Sequence, residues 1–584
     1  MGQWTIGSFN RRNKYITHRT TAISHLTLKG IIPRTVTLSY SHGPSETPLL
    51  GETIGACLDR IASTFGEFDA LISCHQGIRH TYRQLRHEAE TVARALMSLG
   101  VERGDRVGVW SPNCAEWLIA QYASAKAGAI MVNINPAYRI RELEHPLSQS
   151  GVSVLIAARG FRSSNYVAML EEVAPKVSSL KRVIYLESGR LEGRMTWNDL
   201  LGSADAVPVS QLREREDSLQ FDDPVSIQYT SGTTGHPKGA TLTHHNILNN
   251  GFFIGESLRY NENDRICLPV PFYHCFGCVL GSLAALTHGS TIVIPSDTFN
   301  AQACLLTVQQ EHCTSLYGVP TMFIAELDHP DFSSYRLDSL RTGIMAGAPC
   351  PVEVMRQVIE RMHMRDVTIC YGMTETSPVS FQSSPDDPIE TRVSTVGAVH
   401  PHVECKIVDP VTGQIVPRGQ TGELCTRGYL VMLGYWNDPN ATAAAIDAAR
   451  WMHTGDLAVM REDGYVNIVG RLKDMIIRGG ENIYPREVEE FLYTYPKVSE
   501  VQVIGVPDRK YGEEVCAWIR LRDGQQATAD EIRDYCRGNI ATYKIPRYVK
   551  FTAEFPMTVT GKVQKFRMRE QMIQELQISV DQTA

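Results

Sequence analysis

The segment Pro224–Gly239, PVSIQYTSGTTGHPKG, decides the fold, because an apolar strand-like run passes directly into a glycine-rich run. Gly232, Gly235 and Gly239 permit positive φ and close approach of the backbone to a ligand. Serine and threonine hydroxyls and the Lys238 ammonium accompany the glycines, so N–H groups, hydroxyls and one cation can converge on a polyanion. The spacing differs from a P-loop, since no Ser or Thr follows the lysine. The segment predicts a phosphate-binding loop of another class, with a flexible surface loop as the alternative.

Strand-like and helix-like patterns alternate on both sides of this loop. Short β-branched runs such as Arg106–Trp110 and Ile266–Val270 are followed by amphipathic runs such as Cys114–Ala127. This alternation predicts parallel strands with covering helices, and therefore an α/β fold. From Val396 to Gly470 the strands are shorter and turn residues are frequent, which predicts a β-rich, barrel-like subdomain.

The pattern changes again after Arg471. Val501–Gly505 and Val515–Leu521 are typical of strands, and a helix is expected to begin at Thr528, with Glu531 at the spacing of a capping box. These features predict a second, smaller α+β domain.

Composition excludes several classes of protein. The chain has 584 residues and a net charge of −7, which argues against a nucleic-acid partner. The 14 cysteines lack the spacing of a disulfide framework and are expected to be free thiols. No apolar run approaches the roughly 18 residues of a transmembrane helix. The first 45 residues contain basic residues but no Asp or Glu, a composition shared by transit peptides and disordered tails. The expected compartment is the cytoplasm, with the mitochondrial matrix as the alternative.

Four further motifs accompany the loop in a fixed order. They are Tyr371–Thr376 (YGMTET), Thr454–Leu457 (TGDL), Gly470–Pro485 (GRLKDMIIRGGENIYP) and Met557–Lys562 (MTVTGK). In this order they resemble the motifs of adenylate-forming enzymes, over roughly residues 45 to 575. Within that superfamily, Gly422–Trp436 and Lys473–Pro485 are most similar to the medium-chain fatty acyl-CoA synthetases.

The resemblance implies a fold and a reaction. The implied fold has a large N-terminal domain of doubly wound β/α subdomains plus a β-barrel-like subdomain, followed by a small mobile α+β C-terminal domain. The expected bounds are a disordered basic extension over 1–44, an AMP-binding domain over 45–470, a hinge over 471–474, a C-terminal domain over 475–575 and a tail over 576–584. In the implied reaction a fatty carboxylate attacks the α-phosphate of ATP and expels pyrophosphate. The thiol of coenzyme A then captures the acyl-adenylate.

The resemblance also implies roles for individual residues. Glu375 would bind Mg²⁺, Thr374 would bind the α-phosphate, and Lys562 would bridge the carboxylate and the α-phosphate. His274 would open a route beside the acyl pocket, or is a buried structural histidine. The residues expected at the ATP site are Thr230, Ser231, Gly232, Thr233, Thr234, Gly235, Lys238, Gly347, Ala348, Pro349, Tyr371, Gly372, Asp456, Arg471 and Lys562.

Further positions follow from the same comparison. Asp456 would hold the ribose hydroxyls, Tyr371 would stack on adenine, and Lys473 would act as the hinge. Gly479 and Gly480 would line the pantetheine tunnel. The residues expected around the acyl chain are Gly251, Phe252, Phe253, Gly255, Gly277, Val319 and Met322.

Two other functions stay open at this stage. The chain could load a carrier protein, although only 22 residues follow Lys562 and they show no carrier domain. It could also be a nucleotide sensor without chemistry, although no expected catalytic position is substituted. The expected partners are a fatty acid, ATP, Mg²⁺ and coenzyme A, and a homodimer is one assembly that the sequence allows.

Overall fold

The computed structural model describes residues 37–186, 189, 191–230, 237–348, 350–479, 481–557 and 563–578. The strands of this part of the chain are β1 (Tyr40–His42), β2 (Asp69–Ser73), β3 (Ile78–Thr81), β4 (Arg106–Trp110), β5 (Ile130–Asn133), β6 (Val152–Ala157), β7 (Gly160–Phe161), β8 (Ser164–Asn165), β9 (Arg182–Tyr185), β10 (Met195–Thr196), β11 (Pro224–Thr230), β12 (Lys238–Thr243), β13 (Arg265–Cys267), β14 (Thr291–Ile294), β15 (Ser315–Gly318), β16 (Thr342–Ala346), β17 (Asp366–Gly372), β18 (Val379–Gln382), β19 (Ala398–Val399), β20 (Val403–Val408), β21 (Thr421–Gly428), β22 (Gly434–Tyr435), β23 (Met452–Met460), β24 (Val466–Arg471), β25 (Ile476–Arg478), β26 (Glu481–Ile483), β27 (Val498–Asp508), β28 (Gly512–Leu521) and β29 (Tyr548–Phe551).

The α-helices of the same residues are α1 (Ile54–Thr64), α2 (Tyr82–Ser98), α3 (Ala115–Ala127), α4 (Ile140–Ser150), α5 (Tyr166–Val173), α6 (Trp197–Gly202), α7 (Val209–Asp217), α8 (His244–Ser257), α9 (Ser282–His288), α10 (Ala301–Glu311), α11 (Pro320–Leu327), α12 (Val352–Arg361), α13 (Ile389–Ser394), α14 (Pro439–Ala445), α15 (Pro485–Tyr493), α16 (Ala529–Cys536) and α17 (Lys565–Glu575).

Two large, mostly parallel sheets carry the N-terminal part of the chain. One has the order β10-β9-β6-β4-β5-β11-β12-β22, and the other has the order β19-β18-β17-β16-β15-β13-β14-β2-β3. In the first sheet β11 pairs in parallel with β5 and antiparallel with β12. Parallel strands need crossover connections, which the intervening helices supply. The predicted α/β class is therefore confirmed.

Helix α3 lies in the apolar layer that joins these two sheets. Twelve of its 13 residues are buried, Lys126 among them, so the helix is covered on every side. Its lysine is neutralised there by ion pairs, since Lys126 Nζ lies 2.8 Å from Asp59 and 2.6 Å from Glu216. Residues of both sheets and of α3 belong to one apolar cluster.

The predicted β-rich subdomain is a five-stranded antiparallel sheet with the order β1-β20-β21-β23-β24. Within the described residues this sheet is open, and its strands do not close into a barrel. Strand β1 pairs with β20, with Tyr40 opposite Lys406. Residues 40–42 thus belong to this sheet, although the sequence assigned them to a disordered extension that ends at residue 44.

The C-terminal residues form a separate sheet with the order β26-β25-β28-β27, and β29 pairs in parallel with β28. Thr528 is the N-cap of helix α16, and its side chain accepts from the Glu531 N–H in the predicted capping box. Among the described residues, no helix is long and apolar enough to cross a membrane.

Candidate active site

The glycine-rich run begins and ends on paired strands. Thr230, the last residue of β11, lies opposite Lys238, the first residue of β12. The chain therefore leaves and re-enters the sheet at one place, beside the carboxyl end of a parallel strand, where α/β folds bind ligands. Ser231, Gly232, Thr233, Thr234 and Gly235 lie outside the described residues.

Glu375 joins this hairpin to the second sheet. Its carboxylate is only 5% exposed, and Oε1 accepts from the Thr230 hydroxyl at 3.2 Å and from the Tyr435 hydroxyl at 2.8 Å. The Lys238 ammonium lies 5.1 Å from the centre of the Tyr435 ring, within cation–π range. Burial, followed by the negative charge of Glu375, raises the pKa of Tyr435, so its hydroxyl stays a neutral donor. Tyr435 lies inside a quoted motif, but the sequence assigned it no role.

Asp456 is positioned by an irregularity in β23. Between the paired positions Glu423–Leu457 and Cys425–His453, one residue of β21 lies opposite three of β23. The extra residues form a bulge in which Gly455 has φ of +68°, a conformation that favours glycine. Asp456 lies within this bulge. The sequence motif predicted Asp456, but the sequence pattern did not predict the bulge.

The Asp456 carboxylate has two partners in this arrangement. Oδ2 accepts from the Tyr371 hydroxyl at 2.6 Å, and Oδ1 lies 3.0 Å from Arg471 Nε. Each carboxylate oxygen has two lone pairs, so the group can still accept from vicinal hydroxyls. Burial and the Asp456 charge raise the pKa of Tyr371. The sequence predicted adenine stacking for Tyr371; the structure adds this hydrogen bond.

Thr374 and His274 are linked through a thiol. Cys275 Sγ lies 3.6 Å from His274 Nδ1 and 3.7 Å from Thr374 Oγ1. The Phe276 N–H donates to His274 Nδ1 at 3.1 Å, which leaves the imidazole proton on Nε2 in the neutral ring. His274 therefore has a defined orientation beside the expected α-phosphate ligand.

A cleft of about 3140 Å³ is lined by part of the predicted site. Its lining includes Gly347, Ala348, Tyr371, Gly372, Asp456, Arg471 and Lys473, together with Arg486, Glu489, Lys565 and Arg569 of the C-terminal residues. The predicted residues Thr230, Lys238, His274, Thr374 and Glu375 do not line it. Gly372 has no room for a side chain, because a Cβ would lie 1.7 Å from the Pro378 carbonyl oxygen.

Lys473 lies on the chain that leads into the C-terminal residues, and Gly479 directly follows β25 of the C-terminal sheet. Lys473 belongs to a short 3-10 helix, Leu472–Asp474, and partial burial of its ammonium together with the Arg471 charge lowers its pKa. Gly479 has φ of +59°, and its N–H donates to the Tyr511 carbonyl at 2.7 Å. Taken over the whole residue, both are exposed.

Three other predicted positions, Pro349, Gly480 and Lys562, lie outside the described residues. For Lys562 the flanking chain is described: Met557 and Val563 form an antiparallel bridge. Both residues line the cleft. The first residue of the MTVTGK motif and the residue that follows the motif therefore both lie at the cleft.

Three glycines expected at the acyl pocket lie where neighbouring atoms leave little room for a side chain. A Cβ on Gly251 would lie 2.8 Å from Leu283 Cβ, and one on Gly255 would lie 2.3 Å from His288 Cε1. A Cβ on Gly277 would lie 2.5 Å from the Pro271 carbonyl oxygen. Their small size is explained by contact between α8, α9 and the neighbouring turn.

Comparison with known proteins identifies the family. The profile of the AMP-binding enzymes matches residues 58–436, and that of the AMP-binding enzyme C-terminal domain matches residues 487–562. The chain belongs to the AMP-binding enzyme family, which confirms the predicted membership of the adenylate-forming superfamily.

Named relatives agree with this assignment. The putative acyl-CoA synthetase YngI of Bacillus subtilis is 49% identical over 91% of this chain and 100% of its own length. The medium-chain acyl-CoA ligase ACSF2, mitochondrial, of Danio rerio is 44% identical over 97% of this chain and 95% of its own. The crystal structure of the anthranilate CoA ligase AuaEII with anthranoyl-AMP has a TM-score of 0.80 and 28% identity, over 91% of this chain and 99% of that one. The predicted class, an AMP-forming acid–thiol ligase, is confirmed.

Proposed function

We propose that the protein ligates medium-chain fatty acids to coenzyme A in two half-reactions. A carboxylate oxygen bonds to the α-phosphorus of ATP while the bond to pyrophosphate breaks. The coenzyme A thiol then bonds to the acyl carbon, AMP leaves, and the thiol proton passes to solvent. Relatives named as acyl-CoA synthetase and medium-chain acyl-CoA ligase support the proposal.

One observation carries it: motif residues form two polar clusters, which we assign to the two ends of a nucleotide. Asp456, with Tyr371 and Arg471, offers a buried carboxylate to ribose hydroxyls. Glu375, with Tyr435 and Lys238, offers a carboxylate and a cation where phosphates would lie. Phosphoryl transfer depends chiefly on positioning and on neutralisation of charge, and these groups supply both.

Glu375 suits Mg²⁺ because a hard carboxylate oxygen is the donor type that this ion prefers. Oε1 is occupied by two hydroxyl donors, while Oε2 accepts from no described residue. Glu375 would hold the ion, which when bound would neutralise charge on the phosphate oxygens. Thr230 and Tyr435 would keep the carboxylate oriented.

The remaining roles rest on the motifs. Lys562 is proposed to contact the attacking carboxylate and the α-phosphate, and Thr374 to donate to the α-phosphate. His274 is proposed to face the acyl entrance, and Gly479 and Gly480 to face the pantetheine arm. Residues 471–474 are proposed as the hinge between an AMP-binding domain over 45–470 and a C-terminal domain over 475–575. Lys473, partly desolvated beside Arg471, is the expected pivot.

The function is tested by pyrophosphate exchange with acids from butyrate to stearate, followed by addition of coenzyme A. Labelled pyrophosphate is expected to be incorporated into ATP most rapidly with acids of medium length. Addition of coenzyme A is then expected to yield acyl-CoA and AMP. Exchange without thioester formation would favour carrier loading instead. The lack of exchange with every acid would favour a sensor.

The proposed compartment is the cytoplasm, with the mitochondrial matrix as the alternative. A fluorescent fusion of residues 1–45 distinguishes them, because a transit peptide would carry the reporter into mitochondria.

A further inference from the structure

We propose that Glu423, Cys425 and His453 form a binding site for Zn²⁺, here called the three-donor site. The site lies on the antiparallel sheet, beside the bulge that contains Asp456. No step of the proposed acyl-CoA ligation uses it, and metal binding can be measured without the reaction.

The three donors are brought together by strand register. Cys425 of β21 lies directly opposite His453 of β23, and Glu423 lies two residues from Cys425 on the same face. The ligand atoms all lie within 4.8 Å of one another. Among the residues that the structure describes, no other group of three such side chains meets this condition.

The distances suit a tetrahedral ion. Zn–S of about 2.3 Å and Zn–N of about 2.0–2.1 Å place sulfur and nitrogen roughly 3.5 Å apart at a tetrahedral angle. Cys425 Sγ lies 3.5 Å from His453 Nδ1. Glu423 Oε2 lies 2.9 Å from the same nitrogen, so the carboxylate needs to move outward by about half an ångström. A thiol, an imidazole and a carboxylate form a donor set that Zn²⁺ accepts, with a fourth position open to water.

The surroundings also suit a cation. His453 Nε2, the other ring nitrogen, lies 3.9 Å from Asp447 Oδ2. At this distance the carboxylate does not hydrogen-bond to the ring, but its negative charge faces the imidazole and favours a bound cation. Cys425 is fully buried, whereas about a third of the His453 side chain is exposed. An ion can therefore enter from the histidine side.

Metal binding would preserve the bulge that presents Asp456. Glu423 directs Oε2 at the donor cluster, and its other oxygen, Oε1, accepts from the Gly455 N–H at 3.1 Å. A cation bound through Oε2 leaves this hydrogen bond intact. Through Glu423 and His453 it would link the two strands on either side of the bulge. We therefore expect Zn²⁺ to raise the melting temperature of the protein.

The experiment is Zn²⁺ titration calorimetry on the chelator-treated full-length protein, with Co²⁺ absorption as a second measurement. We expect one equivalent of Zn²⁺ to bind and Co²⁺ to show thiolate charge-transfer absorption. Cys425→Ser and His453→Gln are each expected to weaken binding at least about tenfold and to remove the rise in melting temperature. Asp447→Asn keeps all three ligands and its own turn, and should weaken binding less than the loss of a ligand does.

Cys405→Ser is the matched control, because Cys405 is a buried thiol on the neighbouring strand β20 and belongs to no such group. Its zinc affinity should equal that of the parent. The proposal is overturned if the parent binds no Zn²⁺. Equal affinity in the parent and the folded Cys425→Ser and His453→Gln proteins would overturn it as well, because the donors would then be elsewhere.

Discussion

Replacing Tyr435 by phenylalanine removes one of the two hydroxyl groups that donate to Glu375 and leaves the aromatic ring beside Lys238. The lost hydrogen bond is 2.8 Å long and reaches a carboxylate that is 5% exposed. Hydrogen bonds to charged groups contribute about 1.5–3 kcal/mol. At about 1.4 kcal/mol for each factor of ten, the expected loss in the rate of adenylation is about 10- to 150-fold.

The assay is pyrophosphate exchange at a series of Mg²⁺ concentrations. Because Tyr435 is proposed to orient the carboxylate that holds the ion, we expect Tyr435→Phe to raise the half-saturating Mg²⁺ concentration. A purely structural role would lower stability without this shift. Tyr429→Phe is the matched control, since within the described part of the chain its hydroxyl has only a long hydrogen bond of 3.4 Å, from Asn250. If the two variants give the same Mg²⁺ dependence and the same rate, the reasoning is refuted.

Three further predictions follow from other contacts. Asp456→Asn removes the charge that faces Arg471, and ATP affinity measured by calorimetry should fall at least about tenfold; an unchanged affinity would argue against a ribose ligand. Lys562→Ala should abolish adenylate formation yet largely spare thioester formation from supplied acyl-adenylate; equal adenylation rates in variant and parent would exclude the role. Glu326→Gln concerns stability: Glu326 is 1% exposed, neither carboxylate oxygen has a hydrogen-bond partner within the described residues, and burial raises its pKa from about 4.5 to about 8. The folded state then holds a proton that the unfolded state releases, so the contribution of Glu326 to stability is fully present below about pH 4.5 and falls by a few kcal/mol as the pH rises through about 8. Glu326→Gln should flatten this part of the pH profile in urea titrations and stabilise the protein at pH 8; an unaltered profile would show that Glu326 ionises normally.

Elements with strong local patterns were predictable. The run Arg106–Trp110 is strand β4 at the same bounds, and the predicted helix Cys114–Ala127 is observed as Ala115–Ala127. Both signals reside in neighbouring residues, through β-branched runs and helical periodicity. The run Ile266–Val270 was less accurate: the strand is Arg265–Cys267, because only those residues pair with β14. Pairing depends on a partner that the local pattern does not contain.

Contacts within the candidate site were predictable only in part. The motifs named Glu375 and Asp456. Gly347, Tyr371 and Arg471, which the sequence also predicted for the ATP site, line the same cleft as Asp456. The hydrogen bond from Tyr435 to Glu375 joins residues that are 60 positions apart in the sequence, and the bond from Tyr371 to Asp456 joins residues that are 85 positions apart. Neither spacing corresponds to a helix or strand period, so no local rule could predict these bonds.

The sequence by itself determined the α/β class, the strand that leads into the glycine-rich run, and the family, because each depends on residue types at short, ordered spacings. Only the tertiary structure decided that the antiparallel sheet is open, that residues 40–42 join it, and that a bulge presents Asp456. It also decided that Glu423, Cys425 and His453 meet. These outcomes depend on register between strands, which is set by packing across the whole sheet.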